Sequence, residues 1–251
     1  VMRDIATYRV NTSLCVPAML LFISQHEDFA TSDLSSLKAM MSGGAPVPAP
    51  LIKTFQNKGV PFYQVYGLTE TAPYALINAA SDSLRKPEAS GKPVFFCQVK
   101  VTDSEGRELG VGEKGEICIK GPNVMAGYWH KPQATAEAIT PDGWFKSGDI
   151  GYKDDEGFFH INDRKKDMVI SGGENVYPAE VESILYEHPS VREIAVIGMP
   201  DEKWGEAVTA VIALNNGQTL TLAELRSFCD GKLANYKIPL RLYEIESLPR
   251  N

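Results

Sequence analysis

"LKAMMSGGAPVPAPLIKTFQNKGVPFYQVYGLTE", residues 37–70, changes its hydrophobic period twice. "LKAMMSGG" is a short apolar run ending in a glycine turn, "PVPAPLIKTFQNKG" reads as a helix closed by Gly59, and "PFYQVYG" is a second apolar run ending at Gly67. Strand, helix and strand, with a turn at each strand end, predict an α/β layer on at least partly parallel strands. Ligands of such layers bind beyond the carboxyl ends of the strands, which singles out "SGGAP" (42–46) and "YGLTE" (66–70). Upstream, "VPAMLLFISQHEDF" (16–29) predicts a helix with Pro17 in its first turn, and its apolar density predicts burial on most sides.

Beyond residue 90 the texture changes. "FFCQVKVTD", "GEICIKG" and "GWFKSGDIGYKDDEGFFHIND" are β-like runs separated by Gly, Asp and Glu, which predicts a β-rich subdomain of hairpins. In "DRKKDMVISGGENVYPAEVE" (163–182), residues 164–166 are basic and Met168 to Ile170 read as a short buried strand. Gly172 and Gly173 then permit a tight turn, and Pro178 suits a helix's first turn, an order that presents backbone and charge to a ligand or, more plainly, a surface hairpin with solvated lysines. That helix runs through "PAEVESILYEH" with Val181, Ile184 and Leu185 on one face. "VREIAVIGM" and "EAVTAVIAL" read as strands, "TLAELRSFC" starts with Thr221 and Glu224 in capping-box spacing, and "IPLRLYEI" supplies a last strand. The result is an α+β unit of about ninety residues, a small domain's size. The sequence holds no internal repeat and no low-complexity segment.

With 251 residues, 43% of them hydrophobic and 23% charged, the chain has the composition of a globular protein large enough for two domains. Its net charge of −7 argues against a nucleic-acid surface, and both parts remain acidic when the chain is split after Asp163. An anionic ligand must therefore be held by local groups. Cys15, Cys97, Cys118 and Cys229 lie far apart without a CxxC pair, and His26, His130, His160 and His188 show no metal-ligand spacing. Disulfide frameworks and zinc sites are thus disfavoured, and a reducing, cytoplasmic compartment is expected. No apolar run reaches transmembrane length, and the first residues lack the pattern of a signal peptide. Oligomeric state leaves no mark in the sequence.

Tyr66, Thr69 and Glu70 set an aromatic face, a hydroxyl and a carboxylate at a ligand-facing edge, a set able to stack a base, bind phosphate and hold Mg²⁺. The plainer alternative is a turn before a helix with Thr69 as its N-cap. Asp149, after Gly148 in "KSGDIGY", could accept two hydrogen bonds from a vicinal diol such as ribose, or be an ordinary turn aspartate. Arg164 could offer planar, charge-assisted hydrogen bonds to the same ligand, or form only a surface salt bridge.

"SGGAP", "QVYGLTE", "GEICIKGPNVMAGYW", "GWFKSGDIGY" and "DRKKDMVISGGENVYPAEVE" occur in this order, and together they closely resemble the acyl- and aryl-CoA synthetases of the adenylate-forming superfamily. The resemblance covers nearly all of the chain. It implies that residues 1–162 are the later part of a large AMP-binding domain, an α/β sheet layer plus a β-barrel-like subdomain. Residues 163–251 would be a small mobile α+β C-terminal domain lacking its last segment. The implied reaction joins an acid with ATP to give an acyl-adenylate and pyrophosphate, and coenzyme A then gives the thioester and AMP. By motif, Gly44, Ala45 and Pro46 would pack on one face of adenine and Tyr66, followed by Gly67, on the other. Thr69 would contact phosphate and Glu70 would hold Mg²⁺. Asp149 would bind the ribose hydroxyls with Arg164, and Lys166 stands at the hinge position, where some relatives have Asp. Gly172 and Gly173 would line the pantetheine tunnel. Trp204 and Gly205 match a position near coenzyme A, with a tryptophan that merely anchors the hairpin as the alternative.

Two parts of that family's machinery are missing from these residues. No Ser/Thr/Gly-rich loop followed by lysine occurs ("TSDLSS", 31–36, has neither the glycines nor the lysine), and no lysine follows "LPRN". The expectation is a C-terminal fragment of a synthetase about twice as long, inactive or nearly so by itself. Alternatives are a truncated, non-catalytic nucleotide-binding module and the adenylation unit of a peptide synthetase. The small apolar "TAPYALIN" after Glu70 admits a fatty chain or an aromatic ring. A fatty or medium-chain acid is expected, because no basic residue there would pair with a second carboxylate.

Overall fold

The computed structural model describes residues 1–249, which form two compact units. The first comprises residues 1–147 and 151–161, and the second residues 148–150 and those from 162 onward.

The first unit opens with α1 (Met2–Tyr8), β1 (Thr12–Cys15) and α2 (Pro17–Gln25), followed by β2 (Ala39–Gly43), α3 (Ala49–Gln56) and β3 (Phe62–Tyr66). Strands β1, β2 and β3 pair in parallel, and β4 (Leu76–Asn78) and β5 (Lys92–Pro93) extend the sheet antiparallel, in the order β1-β2-β3-β4-β5. The parallel strands need crossovers, and α2 and α3 supply them. Leu20, Met40, Leu51, Ile52, Phe55 and Phe62 form the core beneath, with the Phe29 and Phe55 rings edge to face at 5.3 Å.

Helix α2 departs from expectation. Only Leu20 is buried, and Phe22 is 68% exposed. A nine-residue helix on one layer covers a single stripe, so apolar density alone overstates its burial. It also ends early, because His26 is extended and its Nδ1 accepts the Asp28 N–H at 3.2 Å, starting a separate 3₁₀ turn at 27–29.

Strands β6 (Gln98–Thr102), β7 (Gly115–Lys120), β8 (Phe145–Lys153) and β9 (Phe159–Arg164) form an open four-stranded sheet, with α4 (Pro132–Ala138) between β7 and β8. The barrel-like closure expected here is absent among the described residues: the strands lie in a row, β6-β7-β8-β9. The first β-run also begins later than its apolar residues suggest. Phe95 is 94% exposed and Phe96 has φ +63°, within a turn closed by the Cys97 N–H on the Val94 carbonyl.

In the second unit, β10 (Val169–Ser171) and β11 (Glu174–Val176) form a hairpin, followed by α5 (Pro178–Leu185), β12 (Val191–Asp201), β13 (Gly205–Leu214), α6 (Leu222–Cys229) and β14 (Arg241–Glu244). The sheet order is β11-β10-β13-β12, with β14 parallel to β13. Val181, Leu185, Val208, Ile212, Leu225 and Cys229 fill the core between helices and sheet. The expected capping box starts α6: the Glu224 N–H donates to Thr221 Oγ1, and the Thr221 N–H to Glu224 Oε2. In β10 the period is two: Val169 is buried and Ile170 is 50% exposed, so the run 168–170 is not buried throughout.

Candidate functional site

The parallel register sets Gly43 opposite Val65, so the segments 44–46 and 66–70 leave the sheet from neighbouring strand ends. Gly44, Ala45 and Pro46 are exposed, and Val47 turns back into the core. At Gly67 the backbone leaves no room for a side chain: a Cβ would lie 1.7 Å from the Pro73 carbonyl oxygen. The chain then makes a 3₁₀ turn, Thr69–Thr71. The cap that the plainer alternative gave to Thr69 falls instead to the buried Thr71, whose Oγ1 accepts the Leu68 N–H at 2.9 Å and donates to the Leu68 carbonyl at 3.1 Å. That leaves the Thr69 side chain exposed and Glu70 half-buried.

Residues from the "GPNVMAGYW" motif hold Glu70, a role the sequence did not reveal. The Met125 N–H donates to the Glu70 carbonyl at 2.9 Å, and the Tyr128 hydroxyl donates to Glu70 Oε1 at 3.0 Å. Burial, then the Glu70 carboxylate, pushes the Tyr128 phenol up from its ordinary value. Asn123 Nδ2 donates to the carbonyls of Thr71 and Tyr74, each at 3.0 Å. The motif itself was visible, but its contact with Glu70 spans 58 residues of chain and no periodicity reports it.

In the second unit Asp149 is buried, with Arg164 Nε 3.9 Å from its Oδ1. Asp149 is thus no open turn aspartate, and its pairing with Arg164 is a long one. The Lys165 N–H donates to the Gly148 carbonyl at 2.7 Å, fixing the 164–167 turn beside it. Lys166 is exposed on that turn. Gly172 and Gly173 form the two-residue turn between β10 and β11, with φ of +61° and +85°. Both angles suit the mirror-image hairpin turns that favour glycine. The Gly172 N–H donates to the Trp204 carbonyl at 2.8 Å, and a Cβ at Gly172 would lie 2.8 Å from the Trp204 ring, whereas one at Gly173 would meet nothing within 4 Å. Trp204 is 39% exposed and packs against the hairpin turn, with Lys203 Nζ 4.6 Å from its ring centroid. Asp201 shapes its loop by accepting the Lys203 and Trp204 N–H groups, and these bonds, with Arg241 beside it, hold its carboxyl below the usual range.

No group of three or more His, Cys, Asp and Glu able to hold a metal ion occurs among the described residues. One carboxylate and a neighbouring hydroxyl fit Mg²⁺ of the kind that takes most of its oxygens from substrate phosphates and water. A groove of about 590 Å³ lined by α1, the end of α2 and the segment that follows it contains none of the candidate residues.

A family model described as AMP-binding enzyme matches residues 1–129, and one described as AMP-binding enzyme C-terminal domain matches residues 180–251. A feruloyl-CoA synthase from an Amycolatopsis species is 44% identical over 249 residues, 99% of this chain and 50% of that protein. A 2-succinylbenzoate–CoA ligase from Geobacillus kaustophilus is 47% identical over 216 residues, 86% of this chain and 44% of that protein. Among solved structures, an O-succinylbenzoate coenzyme A synthetase from Bacillus subtilis, in complex with ATP and magnesium ion, aligns with a TM-score of 0.90 at 37% identity. It covers 100% of this chain, which in turn covers 51% of that protein. The chain thus spans about half the length of the relatives it matches. By these matches over residues 1–129 and 180–251, the chain belongs to the AMP-binding enzyme family.

Proposed function

We propose that the protein carrying this chain is an acid–CoA ligase that activates a carboxylic acid with ATP and transfers the acyl group to coenzyme A. The observation that carries this reading is the pair of adjoining strand-end loops, one offering exposed backbone at 44–46 and the other Tyr66, Thr69 and Glu70. In the first unit, Tyr66 and Gly44–Pro46 flank adenine, Thr69 meets phosphate and Glu70 takes Mg²⁺. Held there, the cation would supply charge neutralisation for the phosphates. In the second unit, the buried Asp149 accepts hydrogen bonds from ribose with Arg164 as its charged neighbour. Lys166 marks the hinge, and the Gly172–Gly173 turn with Trp204 guides the pantetheine arm.

The fatty or medium-chain acid expected from "TAPYALIN" finds no support in the relatives' names, since feruloyl and 2-succinylbenzoate both denote acids bearing an aromatic ring. We therefore assign an aryl-bearing acid, which the small apolar segment also admits. Four free, buried cysteines support a reducing, cytoplasmic setting. No helix among the described residues is long and apolar enough to cross a membrane. The test is thioester formation by the whole protein with ATP and coenzyme A across aryl and aliphatic acids. Turnover with aryl acids is expected; no acid-dependent release of pyrophosphate with any acid overturns the proposal.

A further inference from the structure

Glu70 is held at two points by one segment. Its backbone carbonyl accepts the Met125 N–H at 2.9 Å, and its Oε1 accepts the Tyr128 hydroxyl at 3.0 Å. The segment is anchored in turn. The Tyr128 N–H donates to Thr135 Oγ1 at 2.9 Å, and that hydroxyl donates to the Lys131 carbonyl at 3.0 Å in the first turn of α4. Asn123 ties its other end to the Thr71 and Tyr74 carbonyls. Glu70 Oε2 makes no hydrogen bond among the described residues. A flexible carboxylate is thereby reduced to one orientation, with one oxygen occupied and the other available.

We propose that Tyr128 is a positioning residue that presents Glu70 to the cation accompanying the nucleotide. This rests on the reading of Glu70 as the Mg²⁺ ligand. A carboxylate that binds metal is commonly oriented by a hydrogen bond to its second oxygen, and loss of that partner weakens metal binding about 10- to 100-fold. Because Tyr128 lies at the surface, the lower end of that range applies, about tenfold.

The experiment measures Mn²⁺ binding to the whole protein with ATP by electron paramagnetic resonance, alongside the Mg²⁺ dependence of pyrophosphate exchange. Tyr128→Phe keeps the ring and removes only the hydroxyl. It is expected to weaken Mn²⁺ about tenfold and raise the half-saturating Mg²⁺ similarly, with a much smaller change in rate at saturating Mg²⁺. Thr135→Val, which loosens the Tyr128 backbone and spares its hydroxyl, should shift both in the same direction by less. The double variant Tyr128→Phe, Glu70→Gln should bind Mn²⁺ no more weakly than Glu70→Gln alone, since Tyr128 acts only through that carboxylate. If Glu70→Gln leaves Mn²⁺ binding unchanged, the assignment of Glu70 itself fails. If Glu70→Gln weakens it while Tyr128→Phe and Thr135→Val do not, or if the losses add, the positioning role alone is overturned.

Discussion

Replacing each glycine of the β10–β11 turn by alanine separates two physical costs that the structure keeps apart. At both positions alanine must adopt a left-handed backbone, with φ of +61° at Gly172 and +85° at Gly173, which costs about 1–2 kcal/mol for an L-residue. Alanine also restricts the unfolded chain, which returns about 0.4–1 kcal/mol. The net for Gly173→Ala is therefore about 1 kcal/mol, as its Cβ meets nothing within 4 Å. Gly172→Ala adds a contact of 2.8 Å with the Trp204 ring. Ordinary contacts begin near 3.4 Å, so the ring must tilt or slide by about 0.6 Å. Overpacking of this kind costs about 1–3 kcal/mol, and the lower end applies because Trp204 is 39% exposed and not locked in a core. Gly172→Ala should thus be destabilised by about 2 kcal/mol, twice its neighbour. Denaturant unfolding of the two variants gives the comparison, and single-turnover thioester formation adds a second reading. Only Gly172→Ala displaces the tryptophan, so it should slow acyl transfer to coenzyme A more than acyl-adenylate formation. Equal stability loss in the two variants, or equal slowing of both half-reactions by Gly172→Ala, would refute the reasoning.

Three further outcomes are expected. Asp154 is largely buried and accepts Lys86 Nζ at 2.5 Å and His160 Nε2 at 3.1 Å. Burial pushes its carboxyl up, but these partners and the Phe158 N–H outweigh that and hold it far below the usual carboxylate range. A depressed folded-state value means that its contribution is complete above the unfolded value of 3.8 and is lost as pH falls below it. Acid titration of unfolding should accordingly show a shallower loss of stability below about pH 5 in Asp154→Asn than in the parent; identical slopes contradict this. Asp163 Oδ2 accepts the Ala179 N–H at 2.8 Å in the first turn of α5. Asp163→Ala should cost about 1 kcal/mol in chemical denaturation and Asp163→Asn much less; equal losses would show that the cap is not the cause. Gly67→Ala drives a Cβ against the Pro73 carbonyl, so it should lose about 3 kcal/mol and nucleotide-dependent Mn²⁺ binding together, and a variant that melts and binds like the parent would contradict the packing described.

The α/β layer was legible because its signals are local. The hydrophobic period switches at 37–67, glycine stands at each strand end, and the parallel pairing of β2 with β3 follows. The Thr221–Glu224 box was legible for the same reason, a spacing of three residues within one helix. What escaped depends on neighbours distant in sequence. The exposure of Phe22 follows from how many layers cover α2, and the open β6–β9 row follows from strand count, neither of which a period encodes. Strand β11 was legible only through the plainer reading of 163–182 as a surface hairpin: two adjacent glycines with positive φ fold Glu174–Val176 back onto β10. Of the candidate residues, Gly172 and Trp204 lie together and the segments 44–46 and 66–70 leave neighbouring strand ends, whereas the Tyr128 contact with Glu70 bridges separate elements and left only an unexplained motif in the sequence. Asp149 was found as a residue, but its burial was not.

The central claim is that the ends of β2 and β3 receive a nucleotide base. A crystal structure of the whole protein with AMP tests it most directly. The account predicts the adenine ring lying on Tyr66 with the Gly44–Pro46 backbone against its other face; adenine bound away from both strand ends would contradict it.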